Sequence, residues 1–401
     1  MTISYSGSFF RLLLRWKGSI WRSTWKELLV YLVFYYSVRC FYLFAIPILD
    51  EDDKRQYYRR KFESLCVMFD NYSKLIPLTF LLGFYVSNVV ARWWRQFETL
   101  SWPEDLLGDL CLICPGNDEK SKKRRHVIAR YLNLTAAIAW RDISTKIRIR
   151  FPTMRSIVEA GLLTEKELQL LEAINEDCPN ARWMAPLQWI QHLVMLEVKE
   201  NNPMTSLVNT FFKDLQTVKQ SFRRLFCYDW VSVPLPYTQV AALATYAFFF
   251  FCLFGRQFIE SPRDKNPPID FYVPLFTIVQ YLFFVGWFKV GQDLMRPFGM
   301  DDDDIELDYI FERNLLVSFA VVHNLHENPP PEEEEGDEYW RMITKGEKIS
   351  LPNTPYSLTS RYHRPKLHSY IKINGEDDEK TDIAQDLKCA PRFNRKRHIA
   401  W

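Results

Sequence analysis

Val231–Phe254 reads VSVPLPYTQVAALATYAFFFFCLF and carries no formal charge. A helix needs about 20 mostly apolar residues to cross the hydrocarbon core of a bilayer, and this stretch supplies them. Downstream, Phe271–Val290 (FYVPLFTIVQYLFFVGWFKV) qualifies too, with Lys289 near its end. Upstream, Leu28–Leu49 qualifies with Arg39 as its one charge. A fourth stretch, Leu75–Val90 (LIPLTFLLGFYVSNVV), is shorter and bounded by Lys74 and Arg92. Alone it suits a buried soluble helix as well as a span. Beside three stronger neighbours it is expected to insert.

Flanking charge sets the orientation. The segment before the first stretch is basic (Arg11, Arg15, Lys17, Arg22, Lys26), with Glu27 at its edge. The loops Asp50–Glu63 and Arg256–Asp270 mix both signs. The N-terminus is therefore expected in the cytosol, with both short loops outside. Residues from about 92 to 228, and everything after about 291, then fall in the cytosol. No short apolar core with a small-residue cleavage site precedes the first stretch, so a cleaved signal peptide is not expected.

Bulk composition decides less. Hydrophobic residues make up 48% of 401, charged residues 25%, and the net charge is only +2. A near-neutral balance argues against a nucleic-acid binder, which needs a strongly basic face. The 8 cysteines are scattered, and Cys111-x-x-Cys114 has no second pair, so neither a disulfide framework nor a zinc site is expected. The 7 histidines form no Glu-x-x-His pattern, and there is neither a P-loop nor G-x-G-x-x-G. With no nucleophile beside a base, an enzyme is not expected.

The cytosolic middle reads as helical. Amphipathic patterns recur in Arg124–Ile149 and Thr164–Ile174, and Thr164-Glu-Lys-Glu167 has capping-box spacing. Phe151-Pro152 and Asn202-Pro203 mark breaks. From about 327 the chain turns Pro- and acid-rich, then polar, a composition that suggests disorder.

Three features can carry function. Ile76, Phe80 and Phe84 recur every four residues, which puts them on one helix face, and the next position on that face is the polar Asn88. Such a stripe is either packing material or, repeated around an axis, a hydrophobic constriction that gates by dewetting. The positive edges of Phe rings tolerate a weakly hydrated anion. The run Asp301–Asp304, after Pro297-Phe-Gly299, is either a solvated acidic patch or a cation site. Calcium takes six to eight oxygens, and Asp301 and Asp304 can face one ion if the run starts a helical turn. Arg92-Trp-Trp-Arg95 is read as an interfacial anchor.

These residues resemble the bestrophin family. The resemblance lies in Arg11–Ile20, Ile76-Pro77 with Gly83–Val86, Arg92–Trp94 and Tyr228–Trp230 with Pro234 and Tyr237–Gln239. It continues in Gly255–Gln257, Val285–Trp287 and Pro297–Gly299 with Asp301–Asp304. The resemblance implies an all-α membrane protein, a homopentamer around one central pore, whose four transmembrane helices continue into a helical cytosolic domain. It implies a chloride channel opened by cytosolic calcium in the plasma membrane, with both termini cytosolic. The pore neck would be lined by Ile76, Phe80 and Phe84, and a second, cytosolic constriction would fall at Met204. Calcium would be held by the side chains of Asp301 and Asp304, by backbone carbonyls near Asp293 and Arg296, and by one from the N-terminal segment. The stretch before Gly7-Ser-Phe9 is shorter here than in the family.

An expected division of the chain results. Residues 1–27 form a cytosolic N-terminal segment, 28–98 the first two membrane helices, and 99–228 the cytosolic domain. Residues 229–296 form the last two membrane helices, 297–326 the calcium clasp and a helical segment, and 327–401 the tail. The expected partners are the chain's own copies, the lipid bilayer, chloride and other small anions. A membrane scaffold that regulates other channels, without conductance of its own, is the alternative.

Overall fold

The computed structural model describes residues 12–47, 52–259 and 272–328. Their regular structure is all helical, joined by turns, with no β-strand among the described residues. The expected tail from 329 onward, the N-terminal segment to residue 11 and most of the stretch Arg256–Asp270 lie outside the described residues.

Contacts divide the chain into two units. The first takes the described parts of Phe9–Leu100 and Ser221–Glu306. The second takes Ser101–Gln220 and the described residues from Leu307. The last helical segment thus joins the middle of the sequence rather than the acidic run that precedes it.

The first unit opens with α1 (Ile20–Cys40), whose N-terminus is capped by the Ser19 side chain accepting from the Arg22 N–H. It continues as a π-helical turn, Phe41–Ala45. Then come α2 (Asp52–Leu75) and α3 (Leu78–Glu98). The mixed-charge stretch 50–63, expected as a loop, is therefore helical from Asp52. Its charges suit a helix: Asp52 and Asp53 occupy the first turn, and Arg59 pairs with Glu63 four residues on at 3.1 Å. Tyr42 stacks on Phe62 of α2 with ring centroids 5.1 Å apart.

The helices numbered α4 to α9 belong to the second unit: α4 (Glu104–Ile113), α5 (Glu119–Ile143), α6 (Thr145–Arg150), α7 (Met154–Glu159), α8 (Glu165–Asp177) and α9 (Ala185–Asn201). Helix α10 (Thr205–Trp230) contributes to both units, changing over after Gln220. The first unit then resumes with α11 (Leu235–Gly255) and α12 (Leu275–Asp293), and the second ends with α13 (Leu307–Phe319).

The first unit's core is aromatic. Tyr31, Tyr85, Phe249, Tyr281 and Phe288 meet among α1, α3, α11 and α12. Helices α2 and α11 pack tightly at Gly255, where a Cβ would lie 2.7 Å from the Asp70 backbone nitrogen and 2.8 Å from its Cα. Only a residue without a side chain fits that crossing.

Four spans were expected. Among the described residues, two helical stretches are long and apolar enough on their own, Ile20–Ala45 and Leu235–Gly255. A third is the pair α2 and α3, bent by 41°. Helix α12, the core of the fourth expected span, does not reach that measure. Gln280, Lys289, Gln292 and Asp293 dilute its apolar run.

In the second unit α5 is the central element. Its Trp140, Ile128 and Ala129 are fully buried, and α9 and α13 pack on it. The expected breaks are found: α6 ends at Arg150 before Pro152, and α9 ends at Asn201 before Pro203. The capping box of α8 is made in both directions between Thr164 and Glu167. Glu327, at the start of the expected tail, is tied to Lys122 at 3.3 Å and to Arg125 at 3.4 Å.

Candidate functional site

Helix α3 begins one residue after Pro77, whose carbonyl accepts the Leu81 N–H at 3.1 Å. Ile76 lies in the break between α2 and α3, its carbonyl accepting from the Leu78 N–H at 2.8 Å. So Ile76 does not share a helix face with Phe80 and Phe84, as periodicity predicted. Proline removes a donor and disfavours helix at the residue before it, which is why the four-residue spacing stops there.

Phe80 and Phe84 do sit one turn apart on α3. Their ring centroids are 4.7 Å apart, near edge-on, and the side chains are 64% and 57% exposed. They line an apolar groove of about 580 Å³ with Tyr85, Pro236, Tyr237 and Val240. Asn88 also lines that groove and donates its amide Nδ2 to the Tyr237 hydroxyl at 2.7 Å; the hydroxyl donates onward to the Phe84 carbonyl at 3.1 Å. Tyr237 is a residue that sequence reasoning missed as a partner of this face. The two positions are far apart in sequence, and no local pattern links them.

Arg92 has a more definite role than an interfacial anchor. Its Nη2 donates to the carbonyls of Tyr228 at 2.6 Å and Val231 at 2.7 Å, and its guanidinium lies 5.0 Å from the Tyr228 ring centre. A cation on the last carbonyls of a helix satisfies acceptors that lack a partner, here at the end of α10. Trp94 beside it is half exposed.

The acidic run folds into a tight turn after α12. The Ile305 N–H donates to the Pro297 carbonyl at 2.7 Å, and the Asp304 N–H to the Asp301 carbonyl at 3.3 Å. The Asp304 side chain is 3% exposed and accepts from the Asp301 N–H at 2.6 Å. A Cβ on Gly299 would lie 2.8 Å from the Asp304 Oδ2, so glycine lets the loop close over that carboxylate. Asp302 is held apart, paired with Arg22 and with Lys17 at 3.8 Å.

The donors suit a hard cation: a buried carboxylate, further carboxylates that repel one another, and carbonyls on the same loop. Side chains alone do not complete a site, because no cluster of three or more metal-ligating side chains exists among the described residues. The backbone oxygens expected near Asp293 and Arg296 would be needed to supply the rest. The N-terminal carbonyl of the expected clasp lies outside the described residues.

Met204 belongs to the second unit, immediately before α10. It is 68% exposed, and its carbonyl accepts the N–H groups of Leu207 at 3.0 Å and Val208 at 3.3 Å.

With this geometry established, comparison with known proteins gives the family. The family described as "Bestrophin, RFP-TM, chloride channel" matches residues 1–324. The chain belongs to the bestrophin family, and its apolar helices fit a membrane protein. It is 56% identical to Bestrophin homolog 13 of Caenorhabditis elegans over the full length of both. It is 38% identical to human Bestrophin-1, with 91% of this chain and 61% of that protein covered. A crystal structure of a bacterial bestrophin homolog from Klebsiella pneumoniae matches with TM-score 0.51 at 13% identity, over 78% of this chain and all of that one. A second crystal structure, described only as that of a membrane protein, matches with TM-score 0.54 at 13% identity, over 75% of this chain and 98% of that one. At that identity the structures speak for the fold alone.

Proposed function

We propose that the chain is the pore-forming subunit of a calcium-activated anion channel, a homopentamer in the plasma membrane with both termini in the cytosol. The observation that carries this reading is the exposed Phe80–Phe84 pair on α3 of a bestrophin-family chain. Two large aromatic side chains more than half exposed on one face need an apolar surround or a role in a passage. In several copies around an axis they form apolar rings, with Ile76 at the bend above and the Asn88–Tyr237 pair below. A weakly hydrated anion such as chloride crosses such rings past the positive ring edges.

The Asp301–Asp304 turn is the calcium sensor in this reading. Bound calcium supplies positive charge that relieves the repulsion among carboxylates. Asp304 and Asp301 offer side-chain oxygens, and Asp293 and Arg296 offer carbonyls. Because the turn directly follows α12, whose Phe288 packs against Tyr85 of α3, its ordering can reach the neck helix through packed side chains. Calcium favours the open state only insofar as it binds that state more tightly.

The test is reconstitution of the purified full-length chain in planar bilayers under a chloride gradient. The expected result is current that reverses near the chloride equilibrium potential and rises with calcium on the cytosolic side. Bilayers that stay silent at every calcium level, with a monomer found in detergent by mass measurement, would leave the scaffold alternative standing.

A further inference from the structure

Helix α12 carries Lys289 in a largely apolar run that ends in Gln292 and Asp293. A cation in such a helix is costly unless it has a partner. Here the partner is Glu27 of α1, whose Oε1 lies 2.5 Å from the Lys289 Nζ. The other oxygen of the same carboxylate accepts from the Tyr246 hydroxyl of α11 at 3.2 Å. One side chain thus ties together three helices of the first unit.

The tie sits at a close crossing. Gly286, three residues before Lys289, leaves no room for a Cβ, because the Ile20 side chain of α1 occupies that place. Thr24 packs beside it and is fully buried. Five residues before Glu27, Arg22 pairs with Asp302 of the acidic turn. Five residues of helix rise about 7.5 Å. Over that length α1 grips the acidic turn with one charge and α12 with another. Asp293 lies four residues after Lys289, one turn further along α12. The Glu27 and Lys289 side chains are 35% and 22% exposed, and ion pairs open to solvent in this way contribute little stability. The pair has little stability to give, but it stands where the end of α12 is placed.

We propose that Glu27 and Lys289 are positioning residues for the calcium site: their ion pair holds the last turn of α12 so that the Asp293 carbonyl is ready beside the acidic turn. This rests on the reading of that turn as the calcium sensor, and it adds the contact that fixes the sensor's geometry from outside. Ligands held in place beforehand lose less freedom when the ion arrives, and so bind it more tightly.

The test is calorimetric titration of calcium into the purified full-length protein in detergent, with half-activating calcium in patch recordings as a second readout. Glu27→Gln and Lys289→Met should each raise the calcium dissociation constant about threefold or more, within the range of coupling between residues that share a network. The sign for Lys289→Met separates position from charge. By charge alone, removing a cation near a calcium site tightens binding and removing an anion weakens it. Position weakens it in both variants. The exchanged pair, Glu27→Lys with Lys289→Glu, rebuilds the bridge and should bring the constant back to within about twofold of the unmodified protein. If the unmodified protein binds no calcium, the sensor reading beneath the proposal falls. If it binds calcium while the single variants shift in opposite directions or not at all, or the exchanged pair stays as weak as they are, the proposal is overturned and the sensor reading stands. Should any of these variants fail to fold, Tyr246→Phe, which removes only the hydroxyl bond to Glu27, takes its place: weaker calcium binding supports the proposal and an unchanged constant overturns it.

Discussion

Replacing Glu167 by glutamine should loosen the start of α8 far more than an average surface change. The Glu167 carboxylate accepts from both Arg130 terminal nitrogens, at 2.7 and 2.8 Å, from the Tyr131 hydroxyl at 2.8 Å, and from the Thr164 N–H at 2.9 Å. Burial alone would push the carboxyl up. The Arg130 fork, the Thr164 N–H and the Tyr131 hydroxyl outweigh it and bring the group from an ordinary 4.5 down to about 2. At full weight that difference corresponds to about 3.4 kcal/mol in favour of the folded state when the group is ionised, and to about 2–3 kcal/mol once screening by solvent is allowed for. A lowered carboxyl stabilises fully above its unfolded value and loses that contribution as pH falls toward its folded value. The window here runs from pH 4.5 down to about 2.

Glutamine keeps the shape and one acceptor but leaves the Arg130 guanidinium, only 18% exposed, without a counter-charge. Local opening should become about 30- to 100-fold more frequent at pH 7. Because a two-unit membrane protein has no single unfolding free energy, the assay is hydrogen exchange on peptides covering 128–135 and 164–171. Their protection should fall in Glu167→Gln, and the gap to the unmodified protein should narrow below pH 4.5 once intrinsic rates are corrected. A change under about threefold at neutral pH would mean the bidentate pair is worth no more than an exposed one, and the reasoning fails.

Other outcomes are equally definite. Gly255→Ala forces α2 and α11 apart, because its Cβ meets backbone and no side chain can swing away. It should cost about 1–3 kcal/mol and lower the melting temperature in detergent, whereas Gly83→Ala, with only the Trp287 ring 3.9 Å away, should change it little. Asp304→Ala removes the one buried carboxylate of the acidic turn. Calcium activation in patch recordings should move to concentrations about tenfold higher or more, and an unchanged calcium dependence removes the site. Changing Ile76, Phe80 and Phe84 together to alanine should give current without calcium; a triple variant that stays calcium-gated shows the gate to be elsewhere.

Local chemistry made much of this legible in the sequence. Proline breaks at 152 and 203 and the Thr164 capping box involve neighbours along the chain, so residue type and spacing suffice to place them. The apolar runs of α1 and α11 needed only length and the lack of charge. Residues 52–63 went the other way: their charge density suggested a loop, while their i to i+4 pairing makes a helix, because opposite charges one turn apart support the very structure that polarity argues against. The Tyr237 partner of Asn88, the Arg92 clamp on α10 and the Arg124–Glu197 pair join segments distant in sequence. Nothing local marks which buried charge meets which.

Ile76 shows how two local rules can compete. Four-residue periodicity carried the stripe Ile76, Phe80, Phe84 straight through, while Pro77 required the helix to begin anew. The proline rule wins because it is steric, whereas periodicity records only which faces are apolar. The consequence reaches the proposed pore. Phe80 and Phe84 stand on a regular helix and move together if α3 tilts. Ile76 sits at the 41° bend between α2 and α3 and answers to both helices. A narrowing at Ile76 can therefore change with the bend angle alone while the two phenylalanine levels keep their mutual spacing. The three alanine substitutions taken singly should separate these levels: Phe80→Ala and Phe84→Ala should resemble each other in their effect on calcium-free current, and Ile76→Ala should stand apart from both.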